Sequence, residues 1–268
     1  MTSAKQAKRK RRAAQVPAPP VRGQARGRRA SPRVLIGAAV VVVLVVVGVV
    51  LGFVFSGGGS SEGNVPARGS LATSLPGGAD VQRLLRGIPQ HGNVLGSPDA
   101  PVTMIEYVDL QCPYCQQFET QAMPTLISRY VRSGKVKVEA RVLDFIGPDS
   151  QRGRSAALAA GRQDKLFNFA QLLYLNQGAE NTGWLDDQMV EAAAASIPGL
   201  DVQQLLDERD SAAVGDEAGN ADAQASADNV SGTPTIFVGK TGATPRQVML
   251  TSPTDEESIV AAIDAALR

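Results

Sequence analysis

DLQCPYCQQFET, residues 109–120, holds the only two cysteines of the 268-residue chain, Cys112 and Cys115. Three chemistries use such a pair: half of a metal site, a structural cross-link, or a redox couple. A tetrahedral zinc site needs four ligands. With one histidine, His91, and no third cysteine, the chain lacks them, so neither a metal nor any other cofactor is expected. His91 reads as a loop residue. A cross-link stabilises mainly by closing a long loop, and the loop between these two residues is minimal. The redox reading has a mechanism. Cys112 stands where a helix should begin, facing unsatisfied N–H groups and the positive end of the helix dipole, both of which favour a thiolate. A depressed thiol pKa makes that sulfur both a good nucleophile and a good leaving group. Cys115 lies one turn on, on the same face, and should be the more buried and less reactive of the two.

The flanks support that placement. VTMIEYVDL (102–110) is rich in β-branched and aromatic residues and reads as a strand. A helix is expected from Cys112 to about Arg132, with Pro113 in its first turn and a kink at Pro124. KVKVEARVLDF (135–145) is the next strand. Four helical patterns follow over 150–213, then a last one over about 212–227, with Asp201 as an N-cap and Gly199 as a break. TPTIFVG (233–239) and RQVML (246–250) read as strands. TDEESIVAAIDAALR (254–268) closes the chain as a helix, with Thr254 and Glu257 forming a capping box. Upstream, DVQRLLRGIPQH (80–91) reads as a short amphipathic helix capped by Asp80, and Val94–Leu95 as a short strand. The order strand–helix–strand, helical block, strand–strand–helix makes an α/β fold in which residues 150–229 form an inserted helical subdomain, since they are too many for one crossover.

Charge is segregated. Residues 1–33 carry eleven Lys or Arg and no acid, while the rest carries sixteen basic and twenty-six acidic residues, a net −10. An acidic main domain argues against nucleic-acid binding. Residues 34–55, VLIGAAVVVVLVVVGVVLGFVF, contain no charge and are long enough as a helix to cross the hydrocarbon core. The basic tail places residues 1–33 in the cytoplasm and residues 56–268 outside. The run is longer than a signal-peptide core and no small-x-small site follows it, so an uncleaved single-pass anchor is expected. Residues 56–80, rich in Gly, Ser and Pro, read as a flexible tether to a domain spanning 81–268.

GIPQHGNVLGSPDAPVTMIEYVDLQCPYC (87–115) and VSGTPTIFVG (230–239) resemble the two signatures of DsbA-type thiol–disulfide oxidoreductases of the thioredoxin superfamily, and the likeness runs from about residue 84 to the C-terminus. It implies a thioredoxin fold with a helical insertion, Cys112 as the exposed attacking cysteine, Cys115 as its partner, and Pro234 as a cis-proline beside the disulfide, preceded by Thr233. Glu106 falls where the superfamily carries a buried acid serving the second cysteine, with Asp109 a rival for that role. Pro113 and Tyr114, between the cysteines, would tune the potential. Strongly oxidising members have His where Tyr114 stands, so a milder oxidant is expected. The implied activity is oxidation of cysteine pairs in exported proteins by a monomer, with reoxidation by a quinone-linked membrane partner of the DsbB or VKOR type. A reductase or isomerase kept reduced in the cell is one alternative. A tethered binding module with a passive disulfide is the other, docking through the helical block around Trp184, which itself reads as core.

Overall fold

The computed structural model describes residues 66–72 and 74–268. The basic tail and the apolar run at 34–55 lie outside the described residues, among which no helix is long and apolar enough to cross a membrane. In chain order the elements are helix α1 (Gly78–Leu85), strands β1 (Gln90–His91), β2 (Val94–Leu95) and β3 (Val102–Asp109), a long helix α2 (113–131), strand β4 (Val136–Leu143), and helices α3 (Pro148–Gly161), α4 (Leu166–Leu175), α5 (Asp187–Ala195), α6 (Val202–Glu208) and α7 (Ala212–Ala227). Strands β5 (Thr235–Lys240) and β6 (Arg246–Val248) and helix α8 (Glu256–Ala266) complete the chain.

The strands form one sheet in the order β1-β2-β4-β3-β5-β6. β3 and β4 pair in parallel, joined through α2, and every other pairing is antiparallel. β3 is central because its sequence can be buried on both faces. Val102, Met104 and Val108 join the larger core with residues of α2, α4 and α8, while Ile105 and Tyr107 pack with Phe237 and with Ala221 and Ala225 of α7 on the other face. Helices α3 to α7 are the inserted block. Arg154 of α3, almost wholly buried, ties it to the sheet by ion pairs to Asp144, just past β4 (2.8 Å), and Asp222 of α7 (2.7 Å).

Four local expectations change. α1 stops at Leu85, and Gln90 and His91 are strand rather than helix. Gly87 adopts a left-handed backbone (φ 75°) and Pro89 cannot continue a helix, so the chain turns there. Asp80 sits inside the first turn of α1 and does not cap it. The capping box at Thr254 and Glu257 is displaced by one residue: Asp255 is the N-cap, accepting from the Ser258 N–H (3.1 Å) and the Thr251 N–H (2.9 Å). A carboxylate in place to take both donors is a stronger acceptor than the preceding hydroxyl. Around Pro124, helix α2 changes register. Phe118–Ala122 is a π-helical turn whose closing bond runs from the Met123 N–H to the Phe118 carbonyl, just before the proline that has no N–H to give.

Part of the tether expected at 56–80 is held against the helical block. The Gly69 N–H donates to the Leu200 carbonyl (2.9 Å) and the Ser70 N–H to the Ala195 carbonyl (2.8 Å), while the Val202 N–H donates to the Ala67 carbonyl (3.1 Å). The strap lies so close that a Cβ on Gly69 would fall 2.2 Å from the Ile197 carbonyl oxygen. Glycine here serves close approach rather than flexibility.

Candidate functional site

β3 delivers the chain to the site at Asp109. A two-residue turn follows, closed by the Cys112 N–H donating to the Asp109 carbonyl (3.1 Å). Cys112 has extended backbone angles and is the N-cap of α2, with Pro113 in the first turn. Its sulfur takes the place of a capping oxygen, accepting from the Cys115 N–H at 3.4 Å. Such a cap satisfies one of the free donors of the first turn and puts the sulfur at the positive end of the dipole.

Both thiols are free and both are buried, Cys112 at 5% exposure rather than exposed as the likeness implies, yet they differ sharply. The Cys112 pKa falls from the ordinary 9.0 to about 6. The largest cause is the Cys115 thiol, which donates to the Cys112 sulfur. Thr233 and the N–H groups of Cys115 and Tyr114 add to it, while burial opposes. Cys115 is fully buried, and its pKa is driven well above the ordinary value by desolvation and then by the neighbouring Cys112. One sulfur is therefore ready as a thiolate and the other holds its proton.

The loop before β5 closes the site from the opposite side. The Thr233–Pro234 peptide bond is cis. The Thr233 carbonyl lies 3.3 Å from the Cys112 sulfur and accepts from it only while the thiol keeps its proton; the share of Thr233 in lowering the Cys112 pKa comes from its side chain. Tyr114, 58% exposed, is not a partner of the sulfur through its ring. It lines, with Thr233, Pro234 and residues 250–253, an open groove of about 250 Å³ beside the cysteines.

Beneath the pair both acids singled out in the sequence are buried, in different states. Asp109 is satisfied. It accepts from the Gln111 N–H (2.8 Å), the Ser150 hydroxyl (2.7 Å) and the Ile146 N–H (3.1 Å), so it fixes the turn to the start of the inserted block. Burial raises its pKa and these bonds pull it back. Glu106 lies on the face of β3 that carries Met104 and Val108, 2% exposed, with one carboxylate oxygen left without a partner. Desolvation, and next the charge of Glu119, push its pKa well up. An acceptor without partners fits a proton-handling group, whereas Asp109 is committed to structure.

Glu119 itself was not singled out in the sequence. It is 3% exposed, four residues after Cys115 on α2, and it accepts from Gln171 of α4. The readable signal was that i,i+4 spacing, which puts a carboxylate on the buried face shared by Cys115, Phe118 and Ala122. Gln177, also unremarked, grips the turn: its side-chain NH₂ donates to the carbonyls of Leu110 (2.8 Å) and Cys112 (3.3 Å). His91 is exposed on edge strand β1, and Trp184 packs half-buried on Gly178 within the block. Among the described residues no cluster of three His, Cys, Asp or Glu could hold a metal.

The family model described as Thioredoxin matches residues 90–265. A probable disulfide bond formation protein D from Bacillus cereus is 29% identical over 177 residues, covering 65% of this chain and 78% of that protein. The oxidised structure of BdbD from Bacillus subtilis is similar with a TM-score of 0.58 and 22% identity, over 67% of this chain and 97% of that one. The structure of α-DsbA1 from Wolbachia pipientis gives 0.56 and 20%, over 68% and 92%. The two structural likenesses show the fold, and the sequence matches carry the chemistry: this chain belongs to the thioredoxin family and is a DsbA-type thiol–disulfide oxidoreductase.

Proposed function

We propose that the protein works as a disulfide oxidase outside the cytoplasm, with Cys112 and Cys115 as its redox couple and Thr233, Pro234 and Glu106 completing the site. The observation that carries this reading is the unequal state of the two sulfurs. A substrate thiolate attacks the Cys112 sulfur of the oxidised pair, and Cys115 leaves with the electron pair and takes a proton. The second substrate thiolate then attacks the substrate sulfur of the mixed disulfide, releasing Cys112 as a thiolate. The substrate has lost two electrons and the pair has gained them.

Holding Cys112 ionised favours that direction. With a pKa of about 6 against 9.0, the reduced form gains about 1.4 kcal/mol at pH 7, or roughly 30 mV of oxidising power. The open groove and the cis loop suit an extended, unfolded segment of an exported protein laid along the Thr233–Pro234 backbone. The apolar run at 34–55, with its basic flank, would anchor the domain outside the membrane. Reoxidation by a quinone-linked membrane partner of the DsbB or VKOR type completes the cycle.

The test is to mix the oxidised protein with a reduced, unfolded protein containing two cysteine pairs. Disulfides should form in the substrate as the protein is reduced, and Cys112→Ser should make none. No transfer, or thiol trapping in intact cells that finds Cys112 and Cys115 mostly reduced, would contradict the oxidase reading.

A further inference from the structure

We infer that Tyr107 is a positioning residue for the reaction: with Arg141 and Asp228 it clamps both ends of the segment 229–234 and so holds Thr233 against the Cys112 sulfur. The inference rests on the role proposed above for the Thr233–Pro234 backbone and names what sets its place.

Tyr107 is fully buried near the C-terminal end of β3 and reaches the segment twice. Its backbone pairs with Thr235, the residue after Pro234, in the last register pair between β3 and β5. Its hydroxyl donates to Asp228 Oδ2 at 2.6 Å, and Asp228 is the C-cap of α7, the residue just before the segment. Between those ends the bonds are local. The Val230 N–H donates to the Ala225 carbonyl (2.8 Å) and the Thr235 hydroxyl to the Gly232 carbonyl (2.8 Å), while Ser231 and Gly232 are exposed. Two residues after Tyr107, the Asp109 carbonyl accepts from the Cys112 N–H (3.1 Å). One stretch of β3 therefore sets both the sulfur and the loop that meets it.

Arg141 of β4, the register partner of Tyr107 in the parallel pairing, holds the hydroxyl end. Glu139 accepts from its Nε (2.9 Å) and pairs with its Nη2 (2.8 Å), which fixes the guanidinium. Nη1 donates to the Tyr107 hydroxyl oxygen and lies 3.3 Å from Asp228 Oδ2. The guanidinium carbon stands 5.2 Å from the centre of the Tyr107 ring, and Phe237 of β5 meets that ring edge-on with centres 5.9 Å apart. The ring is thus held on two sides. Its hydroxyl accepts from a cation and donates to a carboxylate, and such charge-assisted bonds are short and strong. Burial, and next the Asp228 carboxylate, push the Tyr107 pKa up to about 12, so the donor keeps its proton wherever the thiol chemistry runs. Thr233 is the segment's contact with the Cys112 sulfur. Release of the Asp228 end would let that contact drift, and a small displacement of a positioning group costs rate steeply.

The experiment compares the full chain as wild type, Asp228→Ala, Asp228→Asn and Tyr107→Phe. Two rates are read on the oxidised protein: its reduction by a reduced linear peptide carrying a cysteine pair, and its reduction by dithiothreitol, which is too small to lie along the loop. The Cys112 thiolate midpoint is read on the reduced protein. Asp228→Ala should slow the peptide about tenfold more than it slows dithiothreitol, and Tyr107→Phe should act in the same sense by a smaller factor. In Asp228→Ala the Cys112 midpoint should rise by about half a pH unit as Thr233 leaves the sulfur. Asp228→Asn keeps an oxygen for the Tyr107 hydroxyl and should stay near the wild type on both readouts. Asp228 is part-exposed, so its variants carry the test if Tyr107→Phe does not fold. A lower Tm with an unchanged ratio of the two rates and an unchanged midpoint would make the clamp a stabilising contact alone and overturn the inference. A wild type that the peptide does not reduce would sink the oxidase reading alone, because the thiolate midpoints still decide whether the clamp acts on Cys112.

Discussion

At the scale of single residues, the site turns on what touches one sulfur. The strongest influence on Cys112 is the thiol of Cys115, so Cys115→Ala should raise the Cys112 pKa from about 6 towards the ordinary thiol value, and thiol alkylation at pH 7 should slow accordingly. Tyr114 supplies only its backbone N–H. Tyr114→His would add a cation within reach, and the Cys112 pKa should fall by about one unit, read from the same alkylation profile. The two cysteines, Thr233 and Pro234 were legible from spacing and from the two signatures. The choice between Glu106 and Asp109 was not, because β3 is buried on both faces and alternation along it cannot say which acid is satisfied. That answer depends on Ser150 and Ile146, some forty residues away in sequence, which take up Asp109 and leave Glu106 alone. Glu119 was hidden for a related reason: a helical acid is usually exposed, and only the packing of α4 over α2 turns this one inward.

At the scale of elements, strands β3, β4 and β5 and the head of α2 follow from pattern, since β-branched runs and a proline just after Cys112 leave few other solutions. Two of the differences sit where glycine has two meanings. The sequence around Gly87 reads as helix, and Gly87 is a turn. Gly69 reads as tether and is a contact point for the strap across α5 and α6. Gly69→Ala should push the strap off its partners, because the added carbon would strike backbone oxygens that cannot move aside. Amide exchange at Ser70 and Val202 should then speed up and proteases should cut within 66–76, while the reaction of Cys112 stays as it was. Unchanged exchange at both amides would mean the strap is held by something else.

At the scale of the whole molecule, the redox states should differ in stability in a pH-dependent way. Cys112 has its folded pKa lowered to about 6, against 9.0 when unfolded. Its thiolate therefore adds stability to the reduced form that is complete above pH 9 and disappears as pH falls through 6, reaching about 1.4 kcal/mol at pH 7. Relative to the oxidised form, the Tm of the reduced form should rise between pH 6 and pH 9, by about 3–5 °C per 1.4 kcal/mol for a domain of this size. A flat difference across that range would remove the driving force assigned to oxidation. Glu106 acts with the opposite sign: its pKa is raised, so its contribution is full below the unfolded carboxylate value and is lost as pH rises above it, and Glu106→Gln should flatten that decline in Tm. All of these effects return to one sulfur at the head of α2. The most direct measurement is the titration of the Cys112 thiolate in the reduced protein by its ultraviolet absorbance, with Cys112→Ser as the blank. A midpoint near 6 is predicted, and a midpoint near 9, that of an unassisted thiol, would contradict the account.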